Sequence, residues 1–192
     1  YAWSPANGDL RENDRCVFVG AAGPMGVMHT MRAVTSGVPG LSVVGTDLSD
    51  ERLENLTKVV GPTAQKNGVP LDIVNTSSTP LEYGYTYATC LVPVPALVSQ
   101  AVDLLAEGGI LNAFAGIPAG TFGDFDLQGI IERQIFMLGT SGSDVSDMRT
   151  VLRKIEAGII DTTISLGAIT GMAGCGDAIN AVMDRTSGGK IM

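Results

Sequence analysis

The chain has 192 residues, a formal net charge of −8, 45% hydrophobic residues and 17% charged ones. That balance describes a well-buried globular domain with an appended piece of another, and excludes a disordered chain. The acidic excess argues against a general nucleic-acid or anionic-membrane surface, and no run of about 18 apolar residues is present to span a bilayer.

In chain order, Tyr1–Asp14 is polar, carries Pro5 and Gly8, and lacks the apolar core of a signal peptide. It reads as a lead-in whose partner elements lie elsewhere. Cys16–Val19 is a short apolar run with β-branched and aromatic residues, which predicts a buried parallel strand. Gly20, Gly23 and Gly26 follow at once and open a helical segment, with Pro24 suited to its first turn. Glycines there permit a tight turn and leave room for a backbone to approach a diphosphate, which the free N–H groups of the helix start would face. A second apolar strand, Leu41–Gly45, runs on to Asp47, about 20 residues past the last glycine. A dinucleotide fold puts a carboxylate there to accept bonds from the adenosine ribose. The stretch therefore reads as a nucleotide-binding βαβ unit. Two rivals stand beside that reading: a glycine-rich turn in an unrelated α/β protein, and Asp47 as a helix N-cap, a task Ser49 or Asp50 could perform instead.

Leu53, Leu56, Val59 and Val60 set a helical period over 50–65. Arg52 on that helix is close enough to Asp47 to lie over an adenine or reach a 2′-phosphate, or it is a solvated helix-face charge. Strands are predicted at Leu71–Thr76, Tyr85–Val92, Ile110–Ala115 and Ile135–Gly139, and helices at Ala96–Ala106 (ended by Gly108-Gly109), Leu127–Arg133 and from Asp144 or Ser143 to Ala157, with Gly158 as its C′ residue. In the tail, Ile164–Ile169 reads as a strand, Cys175–Met183 as a helix and 184–192 as a turn into a strand. The alternation predicts an α/β, doubly wound parallel sheet of six strands with helices on both faces, a Rossmann arrangement. Ligands then sit at the carboxyl ends of the strands, where the loops Gly20–Gly26, Leu91–Pro95, Ala115–Pro118 and Thr140–Ser143 meet. The three cysteines are scattered, and with His29 as the single histidine the chain offers no recognisable zinc site. His29 lies inside the first helix and reads as structural or partly exposed rather than catalytic, and the thiols fit a reducing, cytoplasmic compartment.

Val17–Gly26, Val43–Leu53 with its Asp47-Leu48-Ser49, Leu105–Gly116, Gly139–Ser143, Gly158-x-x-Asp161, Asp177-Ala178-Ile179 and Arg185–Met192 together resemble the medium-chain dehydrogenase/reductase superfamily, the zinc-type alcohol and polyol dehydrogenases and their zinc-free relatives. Val69–Thr76 and Val92–Gln100 are similar to the L-sorbose-1-phosphate reductase-like subgroup. The resemblance spans Arg15–Met192. It implies a coenzyme-binding domain over 15–158, a lead-in over 1–14 from a catalytic domain outside this chain, and a return segment towards it over 159–192. It also implies hydride transfer between a nicotinamide and a small alcohol, polyol or sugar-phosphate substrate. Gly20, Gly23, Pro24, Met25 and Gly26 would meet the diphosphate and Asp47 the adenosine ribose, while Leu91, Val92, Ala115, Gly116, Thr140 and Ser141 would line the nicotinamide side. Asp47 favours NAD, because a carboxylate repels a 2′-phosphate; Arg52 keeps NADP compatible. Family members pair their coenzyme domains, so a homodimer or tetramer is expected.

Two departures count. Nothing here resembles the family's catalytic domain, where zinc and the proton relay reside, so no residue of this chain is assigned as acid, base or metal ligand. The G-x-x-G-x-x-G spacing also has one residue more than the commonest zinc-enzyme form. The expectation is a chain that binds cofactor but turns over nothing alone. Two alternatives remain: an S-adenosylmethionine-dependent methyltransferase, and a non-catalytic dinucleotide-sensing module on the same fold. Short-chain dehydrogenases are disfavoured, because no tyrosine heads a Tyr-x-x-x-Lys: Tyr83, Tyr85 and Tyr87 are followed four places on by Tyr87, Thr89 and Leu91.

Overall fold

The computed structural model describes residues 10–139, 142–184, 186–187 and 189–192. Short runs of β-branched and aromatic residues form β1 (Arg15–Val19), β2 (Ser42–Asp47), β3 (Leu71–Asn75), β4 (Tyr85–Cys90), β5 (Leu105–Ala113) and β6 (Phe136–Gly139). They pair in the order β3-β2-β1-β4-β5-β6, every pair parallel. This is the doubly wound arrangement expected from the sequence, and its order reverses between β1 and β4.

Helices α1 (Pro24–Val34) and α2 (Asp50–Lys66) cover one face, α3 (Pro95–Asp103) and α4 (Leu127–Glu132) the other. The 3.6-residue period that marks α1 and α2 in the sequence turns Val27, Met31 and Val34, then Leu53, Leu56 and Val60, onto Phe18, Val43 and Tyr87 of the sheet. Across the sheet, Val17, Val19, Val44, Ala88 and Cys90 meet Val98, Ala101 and Val102 of α3. The central strands β1, β2 and β4 are buried on both faces, which explains why they read as continuous apolar runs rather than alternating ones.

Asp144 caps α5 (Val145–Glu156) in a reciprocal capping box with Asp147, and Gly158 follows at φ +67°, as a C′ glycine should. The apolar side of α5 is open, with Met148 and Leu152 exposed. Beyond it come a 3₁₀ turn (Thr162–Ser165), β7 (Leu166–Ala168), a second 3₁₀ turn (Met172–Gly174), α6 (Cys175–Met183) and β8 (Lys190–Ile191). β7 and β8 pair in parallel as a separate ribbon.

Several sequence expectations shift. The third helix ends at Asp103 rather than Ala106, and β5 begins at Leu105 rather than Ile110. Leu105 is fully buried and pairs with Tyr85, so Gly108-Gly109 marks an irregularity in the strand instead of a helix end. Gly108 takes φ +67° there, and its N–H donates to the Arg133 carbonyl at 2.7 Å. β4 and β5 stop two residues short of their expected ends, at Cys90 and Ala113, and β7 is shorter than Ile164–Ile169 because a 3₁₀ turn takes up its start. Residues 10–14, read as having partners elsewhere, have them in this sheet. Leu10 is buried, and the buried Asp14 carboxylate accepts from the Arg11 N–H and the Thr86 hydroxyl, each at 2.6 Å.

Candidate functional site

At the carboxyl end of β1 the chain turns sharply. Gly20 has φ +81°, and a Cβ there would sit 2.5 Å from Val92 Cγ1. The N–H groups of Gly20 and Ala21 both donate to the Thr46 carbonyl, at 3.1 and 2.8 Å, fastening the turn to the end of β2. Gly23 is the N-cap of α1 and contributes no side-chain bond; Pro24 takes the first helical turn. The first-turn N–H groups of Met25 and Gly26 have no intrahelical acceptor, and no acidic residue stands in that turn. A Cβ on Gly26 would run into the backbone of Ala21, so α1 lies directly on the turn. Pro24 and Met25 are exposed at the mouth.

Asp47 ends β2 beside this turn. One carboxylate oxygen, Oδ1, accepts the N–H of Leu48 at 2.9 Å and of Ser49 at 3.3 Å. Oδ2 pairs with Arg52 Nη2 at 3.2 Å, and the Asp47 side chain is only 8% exposed. Ser49, not Asp47, caps α2, its hydroxyl accepting the Arg52 N–H at 3.4 Å. The capping alternative for Asp47 is thereby set aside. The Arg52 guanidinium also lies 3.3 Å from where a Gly23 Cβ would be. It spans the gap between glycine turn and β2 instead of standing free on the helix face.

The Leu91 N–H donates to the Val19 carbonyl at 3.0 Å, and Val92 touches the Gly20 position, so the loop after β4 adjoins the glycine turn across the switch point. Phe114 follows β5, its N–H donating to the Cys90 carbonyl at 2.9 Å; Ala115 then accepts the Ile117 N–H at 2.9 Å in a tight turn, and Gly116 is exposed. The structure thus gathers Gly20, Gly23, Met25, Gly26, Asp47, Arg52, Leu91, Val92, Ala115 and Gly116 at the carboxyl ends of β1, β2, β4 and β5. Thr140 and Ser141 lie outside the described residues.

Sequence reasoning missed a contact on this rim. His29 Nδ1 lies 2.8 Å from the Met25 carbonyl, and its ring packs on Phe114 with centroids 4.8 Å apart at 54°. Burial pushes the imidazole below its ordinary value of 6.5, against the opposing pull of the Met25 bond. In the unfolded chain His29 takes up a proton as pH falls through 6.5, while the folded chain resists it. The unfolded state then binds more protons, so this residue lowers stability as pH falls below 6.5 and has no effect above it. His29→Phe should flatten the stability slope below pH 6.5 in urea unfolding. An unchanged slope would show the imidazole to be solvated.

A cleft of about 690 Å³ opens at the other end of the sheet, between the last turns of α1 and α2 and residues 158–164, lined by Val34, Lys66, Asn67 and Asp161 among others. It is a helix-length away from Asp47 and shares no residue with the rim. No helix among the described residues is long and apolar enough to cross a membrane.

With a glycine turn after β1 and a carboxylate ending β2, this is a doubly wound, Rossmann-like α/β fold. No protein-family model matches the chain. Over 195 aligned positions it is 28% identical to the uncharacterized protein YggP of Escherichia coli K12 and 26% identical to mannitol-1-phosphate 5-dehydrogenase of Aliivibrio fischeri, in each case across 95% of this chain and 46% of the relative. The chain therefore spans about half the length of the curated relatives it matches. Among solved structures, alcohol dehydrogenase TADH from Thermus sp. ATN1 superposes with a TM-score of 0.78 at 18% identity, covering 95% of this chain and 51% of that one. A structure described as the short chain alcohol dehydrogenase rspB of Escherichia coli CFT073, solved with NADH, gives 0.74 at 21% identity, covering 93% of this chain and 51% of that one. The likeness to medium-chain alcohol and polyol dehydrogenases read in the sequence holds for fold along nearly the whole chain.

Proposed function

We propose that this chain is the coenzyme-binding part of an NAD(P)-dependent alcohol or polyol oxidoreductase. The observation that carries the reading is the Asp47 carboxylate, held at the end of β2 beside a glycine turn that opens an uncapped helix. Residues 15–158 form the coenzyme domain and 159–192 the return towards a catalytic domain. The residues present fit a dinucleotide: a Cβ at Gly20 or Gly26 would collide with the turn's surroundings, and the first-turn N–H groups of α1 suit a diphosphate. In this reading Gly20, Gly23, Pro24, Met25 and Gly26 hold the diphosphate, and Asp47 takes the adenosine ribose. Leu91, Val92, Ala115 and Gly116, with Thr140 and Ser141, line the nicotinamide. The cofactor, when bound, exchanges a hydride with the substrate; this chain binds and orients it and supplies no acid, base or metal ligand.

The solved relative with NADH supports a nicotinamide cofactor, and the mannitol-1-phosphate 5-dehydrogenase relative favours a polyol or sugar-phosphate substrate. Zinc, where the parent enzyme uses it, belongs to the catalytic domain. Homodimer or tetramer formation is favoured by β6, an edge of the sheet whose Phe136 and Met137 are exposed. The setting is cytoplasmic, and the chain alone is inactive. Parallel calorimetric titrations with NADH, NADPH and S-adenosylmethionine test the reading. NADH or NADPH should bind and S-adenosylmethionine should not; binding of S-adenosylmethionine alone would replace the oxidoreductase reading with the methyltransferase one.

A further inference from the structure

We propose that His29 is a positioning residue for the nicotinamide side of the site, holding the Phe114–Gly116 segment in register with the start of α1. The inference rests on the dinucleotide reading above and adds to it a residue that does not touch the cofactor.

His29 is the single histidine of the chain. With its Nδ1 2.8 Å from the Met25 carbonyl, the neutral ring must carry its proton on Nδ1 to donate there, which sets both tautomer and ring orientation. Met25 belongs to the first turn of α1, the part of the glycine motif that faces the diphosphate. The oriented ring then meets Phe114 at 4.8 Å and 54°, within the range where tilted aromatic pairs attract. Phe114 is the first residue beyond β5, tied to Cys90 through its N–H at 2.9 Å. The next two residues, Ala115 and Gly116, are those assigned to the nicotinamide. A chain of contacts therefore runs from Met25 through the imidazole to Phe114 and on to Ala115, joining the diphosphate end of the site to its nicotinamide end. An aliphatic side chain at position 29 would fill the space but would neither be aimed by Met25 nor offer a ring to Phe114. Burial lowers the imidazole's affinity for a proton, in the direction that favours the neutral ring.

The test compares two ligands that share the ADP-ribose portion and differ by the nicotinamide. NADH and ADP-ribose are titrated into the full 192-residue chain and into His29→Asn, His29→Phe and Phe114→Ala. His29→Asn keeps a donor for Met25 but has no aromatic ring; His29→Phe keeps the ring and loses the donor. The inference predicts that His29→Asn and Phe114→Ala weaken NADH by about three- to tenfold. ADP-ribose affinity should be unchanged in both, and His29→Phe, which keeps the ring but loses the Met25 bond, should weaken NADH less than His29→Asn does. Equal weakening of the two ligands would make His29 a merely structural residue and overturn the inference. So would unchanged NADH affinity in His29→Asn, loss of NADH affinity in His29→Phe equal to that in His29→Asn, or a parent chain that binds ADP-ribose as tightly as NADH. A parent chain that binds neither ligand would sink the dinucleotide reading itself, a result separate from all of these.

Discussion

Gly26→Ala should destabilise the chain by about 1–3 kcal/mol, the range for forcing a methyl group into a filled site. In a chain of this length each kcal/mol lowers the melting temperature by about 2–4 °C. The reason is local and specific. A Cβ at Gly26 runs into the Ala21 backbone, and Ala21 is fully buried with its N–H bonded to Thr46 at 2.8 Å. The turn cannot retreat without breaking its tie to β2. The helix cannot retreat easily either, because Val27 and Met31 are seated in the core on its inner face. Gly23→Ala provides the contrast. Its φ is −77°, open to any residue, and the new methyl group meets the end of the Arg52 side chain at 3.3 Å and, at an ordinary contact distance of 3.7 Å, the Gly20 carbonyl. That variant should melt close to the parent while still altering dinucleotide affinity. Equal melting temperatures for Gly26→Ala and the parent would contradict the close approach of α1 to the turn.

Asp47→Ala should weaken NADH binding by about ten- to a hundredfold, the equivalent of losing hydrogen bonds to a charged group worth about 1.5–3 kcal/mol. The same change releases Arg52 from its 3.2 Å ion pair. A freed guanidinium beside the glycine turn is a ready partner for a 2′-phosphate, so the NADPH-to-NADH preference should move towards NADPH. Arg52→Ala should move it the other way, leaving Asp47 as an unneutralised carboxylate that repels the phosphate. Titration of both variants with both cofactors checks the pair. If Asp47→Ala leaves NADH affinity intact, the carboxylate is a loop-fastening group for Leu48 and Ser49 and nothing more.

The parts of the fold that were legible in the sequence are those fixed by local pattern. Val17–Val19 and Val43–Val44 are buried on both sides and so appear as unbroken apolar runs, while Leu53, Leu56 and Val60 declare a helix by period. The glycine turn and Asp47 were visible because φ and close approach restrict residue type there. What was not legible depends on partners distant in the chain. Leu105 suits a helix end or a strand start equally well, and its pairing with Tyr85 decides the matter. Gly108-Gly109 looks like a helix stop until the Arg133 carbonyl is found on its N–H. Arg11 and Asp14 read as a polar lead-in because Thr86, which anchors them, is some seventy positions away. At the site, the helical period puts His29 on a face of α1 but carries no information that Phe114 waits opposite it. The Arg52 pairing with Asp47 is a matter of which way the guanidinium turns, which a spacing of five residues leaves open.

The most direct test of the central claim is amide hydrogen exchange of the 192-residue chain with and without NADH. NADH should slow exchange at the rim alone, at 20–26, 47–52, 91–92 and 114–117, with no change around the cleft at Lys66, Asn67 and Asp161. Protection at that cleft with none in the glycine turn would contradict the claim.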